Sequence, residues 1–408
     1  MRITPAARWL ISGATLHTFG ETFYDLVMPL LVLALTGSPV MMAIMFSIGY
    51  GAEFLVAIFG GYFVDKYDRR KLLMVLSAGE AAIMMTAGGI GICARLPVWS
   101  VFIVAGLIDM LVRLYLIADN AALPQVVTED QLPKVNGTLQ AWSSAAQAIG
   151  PALAGFAIGA TNPSFVLLIT GLISLILLIL VSRVSWERFS NDEDLLEPRT
   201  IIRNTIEGWR FTFSNVLYRR VVLWRAGFDF FAGAAFLMLL FYYERTLLLN
   251  GWEIGIMVAG GALGGLAGGL ALSRLQATVP SGRLLLGATS GLALCLTGLA
   301  VTPWWPVAFV FAAALMFFLS LVRRVVNLLF QKSVPSRFLG RVTATSQLFA
   351  TGFGPVSTLL AAWLAQHGNV RIVFWTSASA LLGLVSLAAI GKLHKEDWSI
   401  SAETSRAR

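Results

Sequence analysis

The stretch Gly61-Tyr-Phe-Val-Asp65-Lys-Tyr-Asp-Arg69-Arg70-Lys71 is a dense charged knot set between two apolar runs. Each flanking run is about 20 residues or longer, enough to cross a bilayer as a helix. Charges at this density do not rest in lipid, so the knot marks a tight turn at a membrane face. Lys66, Arg69, Arg70 and Lys71 assign that face to the cytoplasm, where short loops rich in Lys and Arg are retained. Gly61 is read as a point where two helices approach closely.

Outward from the knot, composition tells the same story. With 57% hydrophobic and 13% charged residues among 408, the chain has too few polar groups to cover a water-soluble surface. Twelve spans would take about 240 to 270 residues and leave room for short loops and one larger connector. They are expected near 9–35, 39–64, 71–94, 98–121, 136–160, 163–184, 219–244, 250–274, 283–302, 305–330, 340–366 and 372–391. With the N-terminus inside, only Arg95, Arg245 and Arg371 of 30 Lys and Arg residues fall in outer loops, and Arg113 and Arg225 fall within spans. Both termini are therefore expected in the cytoplasm, as in a multi-pass protein of a bacterial inner membrane. Placement for topology also accounts for the net charge of +8 without any nucleic-acid partner. The first apolar run is too long for a cleavable signal and carries Glu21 and Asp25. Cys93 and Cys295 lie in separate spans and are read as buried thiols, not a disulfide.

The expected organisation is an N-terminal six-helix half over 1–184, a cytoplasmic linker over 185–218, a C-terminal six-helix half over 219–391 and a tail over 392–408. Asn191-Asp-Glu-Asp194, Glu197 and Pro198 mark the linker. Within it, Thr200 to Tyr218 spaces Ile201, Ile202, Ile206, Trp209 and Phe213 between charges, as an amphipathic helix at the membrane surface would. The halves echo each other. Pro124-Gln-Val-Val-Thr-Glu-Asp-Gln-Leu, Asn136-Gly-Thr and Gly150-Pro151 in the first half answer to Gln331-Lys-Ser-Val-Pro-Ser-Arg, Gly340-Arg-Val-Thr and Gly354-Pro355 in the second. Such an echo is the mark of a duplicated transporter.

The pattern G-x-x-x-D-x-x-x-R-R-K at Gly61 to Lys71 resembles the signature between the second and third helices of major facilitator transporters. That resemblance implies an all-α membrane protein of twelve transmembrane helices in two six-helix pseudo-repeats. It also implies a conformational latch formed by Gly61, Asp65, Arg69 and Arg70 on the cytoplasmic side. Ala146-Gln-Ala-Ile-Gly150-Pro151-Ala-Leu-Ala154-Gly155 is similar to the antiporter motif of facilitator drug exporters, with Gly150, Pro151 and Gly155 retained and alanine at two glycine positions. Arg113 stands where those exporters carry a basic residue, although Leu116 and Ile117 replace the glutamine and glycine that accompany it. The chain thus looks like the drug and siderophore exporter branch, near macrolide-efflux and enterobactin-export proteins.

Ionisable groups inside a bilayer are costly and tend to mark a pathway. His17, Glu21 and Asp25 recur at every fourth position of span 1 and are read as one side of that helix. Asp109 with Arg113 on span 4, and Arg225 with Asp229 on span 7, are spaced to pair. By resemblance, spans 1, 4, 7 and 10 line a central cavity, which makes His17, Phe23, Tyr24, Asp109, Arg113, Arg225 and Asn327 the candidate substrate contacts. Glu21, Asp25 and Asp229 are the candidate proton-coupling acids, with Glu21 placed first. Glu80 is read as structural, and Arg323 and Arg324 as anchors at the lipid surface.

The glycines Gly260, Gly261, Gly264, Gly265, Gly268 and Gly269 make small-residue packing faces, since no strand precedes them and no Lys-Ser or Lys-Thr follows. Three histidines in separate regions give neither H-E-x-x-H nor a metal cluster. No metal and no cofactor are expected. The reading is a monomeric secondary transporter, not an enzyme, that exports a small amphipathic molecule such as a drug or siderophore by proton antiport and alternating access. A facilitator importing a nutrient or lipid-derived solute is the alternative, and an integral membrane enzyme a distant one. Aromatic residues on spans 1 and 7 suit a bulky solute, whereas Arg113 and Arg225 suit an anionic one.

Overall fold

The computed structural model describes residues 5–94, 96–127, 131–184 and 208–390. Its long helices are α1 (Pro5–Thr36), α2 (Pro39–Lys66), α3 (Arg69–Cys93), α4 (Val98–Val126), α5 (Leu132–Ala160), α6 (Pro163–Arg183), α7 (Val216–Phe241), α8 (Gly251–Thr278), α9 (Ser281–Val301), α10 (Trp305–Ser333), α11 (Ser336–Gly352), α12 (Gly354–His367) and α13 (Val370–Ile390). A π-helical turn, Tyr242–Thr246, closes α7. Helices α11 and α12 meet at Phe353 and together make one membrane span, Phe338–His367. Pro355 stands at the start of α12, where its missing N–H removes a backbone donor and breaks the run.

Among the described residues, eleven helices are long and apolar enough to cross a membrane. The twelfth is α5. Its 29 residues reach about 43 Å, longer than the hydrocarbon core, but Lys134, Asn136, Gln140, Ser143, Ser144 and Gln147 make it more polar than the rest. The protein is an all-α, multi-pass membrane protein.

Short polar signals set the helix ends. Ser38 precedes Pro39 and its hydroxyl accepts from the Met41 N–H, while Gly37 takes the left-handed conformation (φ 64°) that ends α1. Asp68, inside the charged knot, caps α3 by accepting from the Lys71 N–H at 3.0 Å. Asn162 and Asn215 do the same for α6 and α7. Asn250 and Glu253 bond reciprocally to each other's backbone N–H at the start of α8, a capping box.

The chain divides into two compact units. One comprises the described residues of Met1–Glu197 with Leu248–Ala259, and the other those of Pro198–Leu247 with Gly260–Arg408. In the first unit α1 packs on α5 and α6, α3 on α4 and α6, and α2 on α4. The second unit repeats the plan, with α7 on α12 and α13 and α9 on α10 and α13. There α8 meets α10 through Gly264 and Gly268, which face the backbone of Ala313 and Phe317. The duplication legible in the sequence is therefore a duplication of packing. Glycines act likewise in the first unit: a Cβ on Gly88 of α3 would lie 2.7 Å from the Leu168 nitrogen of α6, and one on Gly171 of α6 would lie 2.9 Å from the Met85 nitrogen of α3.

Two expectations are corrected, and a third falls only partly within the described residues. A Cβ on Gly61 would meet nothing within 4 Å, whereas one on Gly60 would lie 2.9 Å from Ile117 and Val56, so the close approach to α4 belongs to Gly60. Cys93, the last residue of α3, is exposed; Cys295 is buried, and both are free thiols. The amphipathic helix expected over Thr200 to Tyr218 lies outside the described residues as far as 207. Residues 208–214 are helical and end at Asn215, and they pack on α11. There Trp209 and Phe213 face Phe349, and Phe211 stacks on Phe338 at 4.0 Å.

Candidate functional site

In the first unit, the charged knot holds neighbouring helix ends. Arg69 donates to the Ala121 carbonyl of α4 at 3.1 Å, and Arg70 to the Ser182 carbonyl of α6 at 2.9 Å. Both carbonyls lie near C-terminal helix ends, where the backbone dipole favours a cation. Asp65 is exposed and lies 3.9 Å from Arg69. The Gly150-Pro151-Gly155 segment makes the tightest backbone contacts of α5. Gly150 is packed against the Thr22 side chain of α1. A Cβ on Gly155 would lie 2.5 Å from the Gly251 carbonyl oxygen and the Gly255 Cα, and one on Gly255 would lie 2.8 Å from the Pro151 oxygen.

Helix α1 carries His17, Glu21 and Asp25, and the structure separates them by depth. Asp25 is exposed, Glu21 is half-buried, and His17 is buried at 4% exposure. Each four-residue step turns about 40° around a helix, so positions eight apart differ by about 80°. His17 thus leaves the expected cavity face and enters the core. Its ring stacks on Tyr115 of α4 at 4.0 Å, and its Nε2 lies 3.5 Å from Oε1 of Glu80 on α3. Phe23 and Tyr24, also expected at the substrate cavity, are buried too; Phe23 packs on Phe19, and the Tyr24 hydroxyl donates to the Ala105 carbonyl at 3.2 Å.

Asp109 and Arg113 do not form the ion pair that their spacing predicts, for among the described residues no contact joins them within 4 Å. Instead Arg113 stands in the field of four carboxylates, foremost Glu53 of α2, then Glu21, Asp25 and Asp109. Four carboxyl groups therefore share one guanidinium in this part of the first unit. Gly49 of α2 makes room for the Asp109 carboxylate, which any Cβ at that position would strike.

The second unit carries its charges differently. Arg225 of α7 donates from Nε to Asp229 Oδ2 at 3.3 Å, and its other nitrogens reach Ser346 Oγ at 3.3 Å and Gln347 Oε1 at 3.0 Å on α11. Arg323 of α10 lies 3.9 Å from Asp229 Oδ1, so it is held by an acid and is not a simple lipid anchor. Arg324 lies against Gly269 of α8. Asn327 is exposed on α10, and no hydrogen bond joins it to the Arg225 group.

Sequence reasoning missed Asp119 and Tyr115. Asp119 is 9% exposed on α4 and lies within electrostatic reach of His17. An acid in an apolar helix with no basic residue a turn away was the available signal.

The profile of the Major Facilitator Superfamily matches residues 10–357, and the chain belongs to that superfamily. It is similar to macrolide efflux protein A of Streptococcus pyogenes, with 26% identity over 340 residues covering 80% of this chain and 82% of that protein. The multidrug efflux pump Tap of Mycobacterium tuberculosis is 24% identical over 395 residues, covering 93% of this chain and 92% of the pump. The fold matches a mutant of the nucleoside transporter NupG with a TM-score of 0.79, over 95% of this chain and 99% of that one, at 11% identity. The protein is a membrane transporter, its cargo a small molecule and its medium the bilayer.

Proposed function

We propose that this chain exports small amphipathic molecules across a bacterial inner membrane, driven by inward proton flow and working by alternating access. The observation that carries the direction of transport is its similarity to two efflux proteins over 80% and 93% of its length. The Gly150, Pro151 and Gly155 segment, similar to the antiporter motif, supports the same direction. Cargo charge follows from the field around Arg113: four carboxylates about one arginine favour a cationic or weakly basic amphipathic solute over an anionic one. Proton coupling is assigned to Glu21 and Asp25, with both termini in the cytoplasm.

The test uses everted membrane vesicles energised to an acid interior. They should accumulate a radiolabelled macrolide or a lipophilic cation, and a protonophore should abolish the uptake. Glu21→Gln and Asp25→Asn should each lose most of the proton-driven component. Uptake no greater than in vesicles without the chain would overturn export, and uptake indifferent to the protonophore would overturn antiport.

A further inference from the structure

Inside the first unit, away from the acids around Arg113, a second group of ionisable residues is sealed in the helix bundle. His17 of α1 and Glu80 of α3 are each 4% exposed, and Asp119 of α4 is 9% exposed. Glu80 accepts a hydrogen bond from Ser174 of α6 at 3.3 Å through Oε2. Its Oε1 faces His17 Nε2 at 3.5 Å, too long for a strong hydrogen bond. Among the described residues, His17 Nε2, Glu80 Oε1, the Tyr115 hydroxyl and Asp119 Oδ1 are buried without hydrogen-bond partners. Four such atoms in one neighbourhood are far more than native interiors carry without a reason.

A cavity of about 10 Å³, room for about one water, adjoins His17 and Glu80, with Glu21, Tyr24, Thr170 and Ser174 completing its polar lining. The charged and titratable groups facing His17 are Glu21 on its own helix, Glu80 on α3, and Tyr115 and Asp119 on α4. Helix α6 offers only the hydroxyls of Thr170 and Ser174, and α5 offers Ser143, whose Oγ accepts from Thr18.

The balance of charge limits what this group does. With imidazolium and two ionised carboxylates it carries a net negative charge in a low-dielectric interior; one further proton makes it neutral. We infer that His17, Glu80 and Asp119 form a buried proton-binding site, loaded through Glu21 from the exposed Asp25. The order of exposure along α1 supplies the route: Asp25 exposed, Glu21 half-buried at the cavity, His17 sealed. Proton binding moves no electrons and needs no co-reactant; the group takes up one proton and releases it through the cavity that His17 and Glu80 line. Its use in transport rests on the antiport reading, but the site itself does not.

The experiment therefore uses the purified full chain in nanodiscs without substrate. Histidine side chains labelled with nitrogen-15 are followed by NMR between about pH 5 and pH 8, with His17→Gln assigning the signal. His17 should pass from imidazolium to neutral within or above that range, and Glu80→Gln, which removes the facing anion, should lower its midpoint by about one pH unit or more. Infrared difference spectra should show a protonated-carboxyl band that Asp119→Asn abolishes. Glu21→Gln should slow proton exchange at His17 after a pH jump and leave the Asp119 carboxyl band in place. A His17 signal unmoved by Glu80→Gln, or a carboxyl band unchanged by Asp119→Asn, overturns the site; an exchange rate unchanged by Glu21→Gln overturns the route. If Glu80→Gln does not fold, the infrared arm decides alone. Failure of macrolide uptake with this titration intact would reject the export reading and leave the site standing.

Discussion

In the first unit His17 of α1, Glu80 of α3 and Asp119 of α4 are buried together. In the second, the charges of α7 and α10 stand paired: Arg225 with Asp229 at 3.3 Å, and Asp229 with Arg323, whose side chain is 59% exposed. The helices pack to one plan, so the scaffold does not dictate the difference. What differs is how each charge is compensated. Arg225 is satisfied by Asp229, Ser346 and Gln347, leaving a fixed, fully bonded group. In the His17 group, His17 Nε2, the Tyr115 hydroxyl, Glu80 Oε1 and Asp119 Oδ1 make no hydrogen bond among the described residues.

The largest effect should separate the units directly. Glu80→Ala removes the carboxylate facing the buried His17 ring and should cost on the order of 3 kcal/mol, while Arg323→Ala removes an exposed partner of Asp229 and should cost less than about 1 kcal/mol. Thermal unfolding of both variants in one detergent measures the contrast, and equal losses would break it.

Next comes packing. Gly155→Val sets a branched side chain against the Gly251 and Gly255 backbone, which cannot turn aside, and should cost about 2 kcal/mol with loss of most transport. Gly264→Val in the second unit, facing the Ala313 backbone, should cost a similar amount. If only one is damaging, the two units do not rely equally on glycine.

A smaller contrast lies within α2. Gly60→Ala should destabilise by about 1 kcal/mol, since its Cβ would press on Ile117 and Val56. Gly61→Ala meets open space and should be neutral or slightly stabilising, given alanine's helix propensity. Smallest of all in stability is Asp65→Asn, whose exposed pair with Arg69 contributes only a few tenths of a kcal/mol. It should nevertheless reduce the transport rate, because a latch acts through a contact present in one state and absent in another. Wild-type transport together with wild-type unfolding would remove Asp65 from any latch.

The sequence by itself determined the spans, their number and the duplication. Apolar runs of bilayer length, the charged knot at Gly61 to Lys71 and the repeated Gly-Pro pairs are local signals that need no partner to be read. It also exposed most of the intramembrane charges, since each is conspicuous in an apolar run. Only the tertiary structure decided where those charges point. In a soluble helix the polar face marks the outside, but a helix in lipid is apolar both toward the bilayer and toward its neighbours, so periodicity no longer fixes its rotation. The direction of His17 toward Glu80, the failure of Asp109 to reach Arg113 and the closeness of Gly60 rather than Gly61 all depend on that rotation. It is set by which small residues let neighbouring helices close in, and that is a property of pairs of helices, not of any one segment.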